Sequence, residues 1–235
     1  SLWAHLKSIS GLVGDGLSII LSKKTFNYNR NILDFKDQTS ITFKLNSPHF
    51  VNTSITIYKG KVNVINGESG IGKSSILKEL LGIAPPSIVK PPRNHKNDIC
   101  GTSRVSYCGQ RPFFLELPIR SIFKLSNDRN VSDDFIWDAL DTFDLNTRIV
   151  TLDEILKLDG SNFSGGEMSR LSMAIGCCRQ PDVLIVDETL ANLNPQMRKK
   201  LYLNLRKSVE TIVMITHDQY FLSGDEELIH IKSQL

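Results

Sequence analysis

The 235-residue chain has no apolar run approaching the roughly 18 residues that a membrane-crossing helix needs. Residues 11–22 form the most apolar early stretch, but Asp15 and the short length exclude a span. Basic residues do not precede an apolar core in the order of a secretory signal, so no signal peptide is read. The chain starts at Ser1 rather than Met, from which a piece of a longer protein or a processed chain is expected. Charge of one sign is scarce as well. With 28 basic and 25 acidic side chains the net charge is +3, too mild to argue for nucleic acid or an anionic membrane surface. The four cysteines show no C-x-x-C spacing, and adjacent Cys177 and Cys178 in a helical stretch read as buried thiols of a reducing compartment. No internal repeat or low-complexity tract is present.

What remains is an ordinary globular composition. Hydrophobic residues make up 40% and charged residues 23%, enough for a packed core and too ordered in pattern for global disorder. Residues 41–45 and 54–58 read as strands, and 61–65 as a third, ahead of a glycine-rich loop. Prolines 85, 86, 91 and 92 punctuate a polar loop, and 104–108 is a short strand ending at Gly109-Gln110. A helical block follows from about 118 to 158, with Phe135, Ile136, Ala139, Leu140 and Phe143 on one helix face. Residues 165–178 read as a helix, 183–186 as a buried strand, 197–208 as a helix led by Pro195, and 211–216 as another buried strand. Alternating strands and helices predict an α/β fold with a mostly parallel sheet covered on both faces and the helical block inserted into it.

The stretch Gly67, Glu68, Ser69, Gly70, Ile71, Gly72, Lys73, Ser74, Ser75 carries the first chemistry. Strand, glycine loop and helix in that order turn G-x-x-x-x-G-K-[ST] from a string match into a mechanism. The loop's N–H groups can cradle phosphate, Lys73 reaches the β- and γ-phosphates, and the Ser74 hydroxyl ligates Mg²⁺. At the end of the strand 183–186 stand Asp187 and Glu188: the first would hold Mg²⁺ and the second would polarise an attacking water. Alone, two acids at a strand end are a common arrangement; with the glycine loop they become a pair. Asn162-Phe163-Ser164-Gly165-Gly166-Glu167 opens a helix, either as a plain capping box from Ser164 to Glu167 or as an anion-gripping terminus, and both can hold together.

These segments, with Gln110 and Thr216-His217-Asp218, resemble the nucleotide-binding domain of ABC transporters over roughly residues 41–231. Five motifs occur in that family's order, and Ser164 precedes Asp187 by 187 − 164 = 23 positions, which suits the family's intervening helix. The resemblance implies a P-loop NTPase core of RecA type, an antiparallel β subdomain and a helical subdomain at about 111–175. It implies ATP and Mg²⁺ as cofactors and ATP hydrolysis as the activity. Gln110 would sense Mg²⁺ and water, His217 would contact the γ-phosphate, and Ser164, Gly165, Gly166 and Glu167 would contact the ATP held by a partner's Lys73. The working form would be a head-to-tail dimer with a second nucleotide-binding domain, homo- or heterodimeric, docked on transmembrane domains at the cytoplasmic face of a membrane.

The segment from Gln110 to Leu115 with Pro118-Ile119-Arg120, and Gly160-Ser161-Asn162, resemble peptide and toxin exporters, although Phe113 and Phe114 read equally as core aromatics. Residues 1–37 would then be a helix or linker at the end of a transmembrane domain, and 38–235 the cassette. Departures from the family pattern are Leu158 in place of a glutamate, Asn194 in place of an aspartate, and Leu45 about where an adenine-stacking tyrosine belongs. Phe43, or alternatively Phe50, is expected to take that stacking role. Rival expectations are a stand-alone importer subunit, a soluble cassette ATPase acting on nucleic acid or the ribosome, and a regulatory module that binds ATP without hydrolysis. The transported substrate is not written in these residues, because it is chosen in the membrane domain.

Overall fold

A computed structural model describes residues 33, 35, 38–45, 54–81, 89–90, 104–127, 130–157, 160–218, 220 and 222–231. The linker expected at 1–37, apart from Leu33 and Phe35, lies outside the described residues, as do Phe50 and Leu158. The chain divides into two compact units, one containing Arg111–Arg179 and the other built from Tyr28–Gln110 and Gln180–Leu235.

The second unit is built on two sheets. Strands β1 (Ser40–Leu45) and β2 (Ser54–Tyr58) pair antiparallel, and the two-residue β4 (Val89–Lys90) joins the other edge of β1. Strands β3 (Val62–Gly67), β5 (Val105–Cys108), β6 (Val183–Asp187), β7 (Thr211–Ile215) and β8 (Glu227–Ile231) form a second sheet in the order β5-β6-β7-β3-β8. Every neighbouring pair in it is parallel. Strands β6 and β7 are buried at all five positions, the near-continuous apolar pattern that a sheet covered on both faces requires. Helix α1 (Lys73–Leu80) contributes Ile76, Leu77 and Leu80 to one core shared by β1, β2 and the parallel sheet. The parallel core, antiparallel sheet and helical segment match the fold class that the resemblance implies.

Phe43 does not stack on a nucleotide. Its side chain is 0% exposed and belongs to this core with Ile41 and Leu45, so no ring face is available to a base. Strand alternation puts residues 41, 43 and 45 on one face, and that face turns inward.

The unit Arg111–Arg179 is helical, with α2 (Ile119–Ser126), α3 (Asp133–Thr142) and α4 (Gly165–Cys178). Helix α3 packs on α4 and buries Ile136 and Leu140, with Phe143 buried just beyond its end. Phe135 departs from the expected face: it is exposed in the first turn, where its N–H is taken by the Ser132 cap. Phe114 is buried and Phe113 half-buried, which favours the core reading for the first of them. Helix α5 (Pro195–Ser208) returns to the second unit. Among the described residues no helix is long and apolar enough to cross a membrane.

Candidate functional site

The carboxyl ends of four adjacent strands, β5-β6-β7-β3, deliver the chemistry-bearing residues to one edge of the parallel sheet. Such an edge, where strand order reverses, is where open α/β sheets bind ligands. Strand β5 leads to Gln110, β6 to Asp187 and Glu188, β7 to His217, and β3 to the glycine loop.

The glycine loop is shaped by what a side chain would hit. A Cβ on Gly67 would sit 2.6 Å from the Ile231 carbonyl of β8. Gly72 has φ +99°, a left-handed backbone that glycine alone adopts without strain. From there α1 begins at Lys73 itself, with no side-chain cap and no acidic residue in its first turn. Its first N–H groups are therefore left for an anion, and the helix end is electropositive. Lys73 is nearly buried, and its ammonium donates to the Gly67 and Glu68 carbonyls at 2.8 Å each. A cation is thus already folded back over the loop.

Beside it, Ser74 Oγ lies 3.2 Å from Asp187 Oδ1, and Tyr107 donates its hydroxyl to Asp187 Oδ2 at 3.0 Å. Burial pushes the Asp187 carboxyl above its ordinary value; the Tyr107 and Ser74 hydrogen bonds work against this and the Glu188 charge works with it. A hydroxyl and a carboxylate this close, beside a phosphate-shaped loop, fit the donor set of Mg²⁺. No group of three or more His, Cys, Asp or Glu suited to a metal occurs among the described residues, so any ion here would lean on phosphate and water for its other ligands.

Glu188 is the centre of the edge. Its φ of 50° is unusual for a residue with a side chain, and its N–H is tied to the Ile215 carbonyl at 3.1 Å. One carboxylate oxygen accepts from Gln110 Nε2 at 2.7 Å, and the other lies 3.1 Å from His217 Nε2. The buried Thr189 hydroxyl donates to the Cys108 carbonyl at 2.7 Å and so ties the segment after Glu188 to the end of β5. Tyr107 and Thr189 were not singled out in the sequence, because both bonds join positions about 80 residues apart.

Ser164, Gly165, Gly166 and Glu167 lie in the other unit and are described within it. Ser164 caps α4 in a complete capping box: its N–H donates to Glu167 Oε2 at 2.8 Å, and Glu167 N–H donates back to Ser164 Oγ at 3.3 Å. Arg148 braces the loop, donating to the Asn162 carbonyl at 2.6 Å, pairing with Glu154 at 3.1 Å and standing 4.2 Å over the Phe163 ring. Burial raises the Glu167 carboxyl, but the Ser164 bonds and the Arg148 and Arg170 charges outweigh it and leave it below its ordinary value. Asn194 caps α5 by accepting from Met197 N–H at 2.9 Å, so the departure from aspartate keeps the cap.

Residues 50–191 match the family model described as "ABC transporter", over half the chain. The chain belongs to the ABC transporter family. Among curated relatives, this ABC cassette is 28% identical over 226 residues to the energy-coupling factor transporter ATP-binding protein EcfA of Malacoplasma penetrans (strain HF-2), covering 89% of the chain and 76% of that protein. It is 28% identical over 179 residues to the zinc import ATP-binding protein ZnuC of Pasteurella multocida (strain Pm70), covering 74% of the chain and 63% of ZnuC. It is 30% identical over 177 residues to the sublancin-168-processing and transport ATP-binding protein SunT of Bacillus subtilis (strain 168), covering 68% of the chain and 24% of SunT. In fold it resembles a bacterial Atm1-family ABC exporter solved with ATP bound (TM-score 0.67, 18% identity, 82% of the chain and 37% of that one). The cassette therefore spans about a quarter of SunT and well under half of the Atm1-family chain. It carries that family's ATP-binding domain, a class that implies ATPase activity.

Proposed function

We propose that this cassette hydrolyses ATP with Glu188 as general base and that the cycle drives export across a membrane, the cassette lying at its cytoplasmic face. The observation that carries the reading is the Glu188 carboxylate held between Gln110 and His217, with one strand, β7, between the end of β6 and the Lys73 loop that follows β3. Lys73 and the α1 N-terminus bind the β- and γ-phosphates of ATP, with the N–H groups of the loop residues Gly67 to Ser75 around them. Ser74, Asp187 and Gln110 hold Mg²⁺, which when bound neutralises phosphate charge. Glu188 orients the attacking water and takes its proton, while His217 steadies both Glu188 and the γ-phosphate. Ser164, Gly165, Gly166 and Glu167 grip the ATP of a second nucleotide-binding domain, so the loop from Gly67 to Ser75 is half a site.

Export rather than import is supported by the Gln110–Leu115 pattern and by the likeness to SunT, but ZnuC is an import protein of similar identity. A stand-alone importer subunit is therefore the second reading. Six spans encoded ahead of residue 1 favour the exporter; a frame that opens on this cassette favours the importer. The hydrolytic reading is tested by phosphate release from the purified protein. Release that requires Mg²⁺ and drops about 100-fold or more in Lys73→Ala is expected. Mg²⁺-independent release, or a wild-type rate in Lys73→Ala, sinks it.

A further inference from the structure

We propose that Arg198 is a positioning residue for hydrolysis, acting through the His217–Glu188 pair; the inference rests on the site reading above. Arg198 stands in the first turns of α5 with its side chain only 14% exposed. Its guanidinium reaches two segments at once. Nε donates to the Leu190 carbonyl at 3.1 Å, and Nη2 donates to the Leu193 and Ala191 carbonyls at 3.0 and 3.3 Å. Nη1 donates to Asp218 Oδ2.

The three carbonyls belong to the 3₁₀ turn at Thr189–Asn192 and the residue after it, a turn whose N-cap is Glu188. The Leu190 carbonyl also accepts from Leu193 N–H at 3.2 Å, and the planar fork of the arginine adds a donor there while serving the Ala191 and Leu193 carbonyls as well. Asp218 is the neighbour of His217 and is fixed in turn: its other carboxylate oxygen accepts from Tyr220 N–H at 3.0 Å, and its N–H donates to Thr216 Oγ1 at 3.2 Å. A closed circuit results, running from Glu188 through its turn to Arg198, to Asp218, to His217, and back to Glu188 across 3.1 Å.

Two features make this more than a surface ion pair. Glu188 keeps a φ of 50°, a conformation that persists only where surrounding bonds over-determine it, and the three Arg198 bonds clamp the turn that follows. A half-buried ion pair also adds little net stability, since partial desolvation and solvent screening offset its attraction, so fold stability alone is a weak reason for the arrangement. Arg198 sets the angle at which His217 meets Glu188, and with it the alignment of both toward the γ-phosphate. Lysine cannot substitute, because one ammonium cannot span three carbonyls and a carboxylate.

The test is a cycle of Arg198→Gln and Arg198→Lys in the wild-type and His217→Ala backgrounds, with kcat and KM for ATP read by single-turnover and steady-state phosphate release. In the wild-type background both substitutions lower kcat about 10-fold or more with KM within about two-fold, the signature of alignment lost without binding lost. In the His217→Ala background the same substitutions change kcat by less than about two-fold, because the aligned group is gone. An equal fold-loss in both backgrounds, or an unchanged kcat in folded Arg198→Gln, overturns the proposal. Asp218→Asn keeps the shape, enters the same cycle should Arg198→Gln fail to fold, and is held to the same outcomes. Where His217→Ala has no measurable turnover, ¹⁵N-histidine NMR decides: the His217 Nε2 shift moves in Arg198→Gln toward its position in Glu188→Gln, and an unmoved shift refutes alignment. If Glu188→Gln turns over normally, the site reading has failed; if it is dead while Arg198→Gln is normal, only this inference has failed.

Discussion

Asn63 gives the sharpest stability prediction. It is 0% exposed in β3, the strand that runs into the glycine loop. Its Nδ2 donates to the Tyr58, Lys61 and Ile212 carbonyls at 2.9, 3.2 and 3.2 Å, two hydrogens shared among three acceptors, and its Oδ1 accepts from Tyr58 N–H at 2.8 Å. One side chain therefore closes the turn between β2 and β3 and joins it to β7. Asn63→Ala removes the four hydrogen bonds of this buried amide at about 0.5–1.5 kcal/mol each, although the β3–β7 ladder still serves Ile212 and water can partly replace the half-buried bonds at Tyr58 and Lys61. The sum is about 2–4 kcal/mol. Asn63→Asp has nearly the same shape but turns an acceptor toward three carbonyls, so at neutral pH it costs more than alanine despite filling the space. Urea unfolding followed by far-UV circular dichroism, extrapolated to water, measures both. If both variants fall within about 0.5 kcal/mol of wild type, the buried amide is not the clamp the hydrogen bonds describe.

Phe43→Ala is expected to lose about 3–5 kcal/mol of stability as a core cavity, with ATP affinity of the folded fraction unchanged; a selective loss of ATP affinity would restore the stacking role. Glu167 has a carboxyl held below its ordinary value of 4.5, so its charge contributes stability that is present above that value and lost as pH falls through the depressed folded one. The melting-temperature gap between wild type and Glu167→Gln is thus constant at pH of about 6–7 and closes below about 4, and a gap that widens on acidification contradicts the sign.

Legibility followed the range of the forces involved. The loop from Gly67 to Ser75 is legible because its needs are local: glycine where φ reaches +99° at Gly72, and a lysine and a serine at the start of the helix that follows. Strands β6 and β7 showed themselves as apolar runs because both faces are covered. Strand β8 is hard to read, since among the described strands it pairs only with β3 and it alternates half-buried and exposed residues, with Leu228 outward. The stacking role expected of Phe43 rests on the family's tyrosine near Leu45, and a resemblance of that kind does not say which face of β1 turns inward. Asn63, Tyr107, Thr189 and Arg198 carry no local pattern at all. Each has at least one partner on a separate element, Ile212, Asp187, Cys108 and Asp218 respectively, which only the folded sheet brings near.

The most direct test of the central claim compares Glu188→Gln with wild type in two measurements on the same protein: ATP binding in Mg²⁺, and phosphate release. The amide keeps the shape held between Gln110 and His217 but cannot take a proton. Binding within a few-fold of wild type, with turnover lower by about 10²–10⁴-fold, is the predicted result. Normal turnover in Glu188→Gln would contradict the account, because the proton would then leave by a route that does not pass through Glu188.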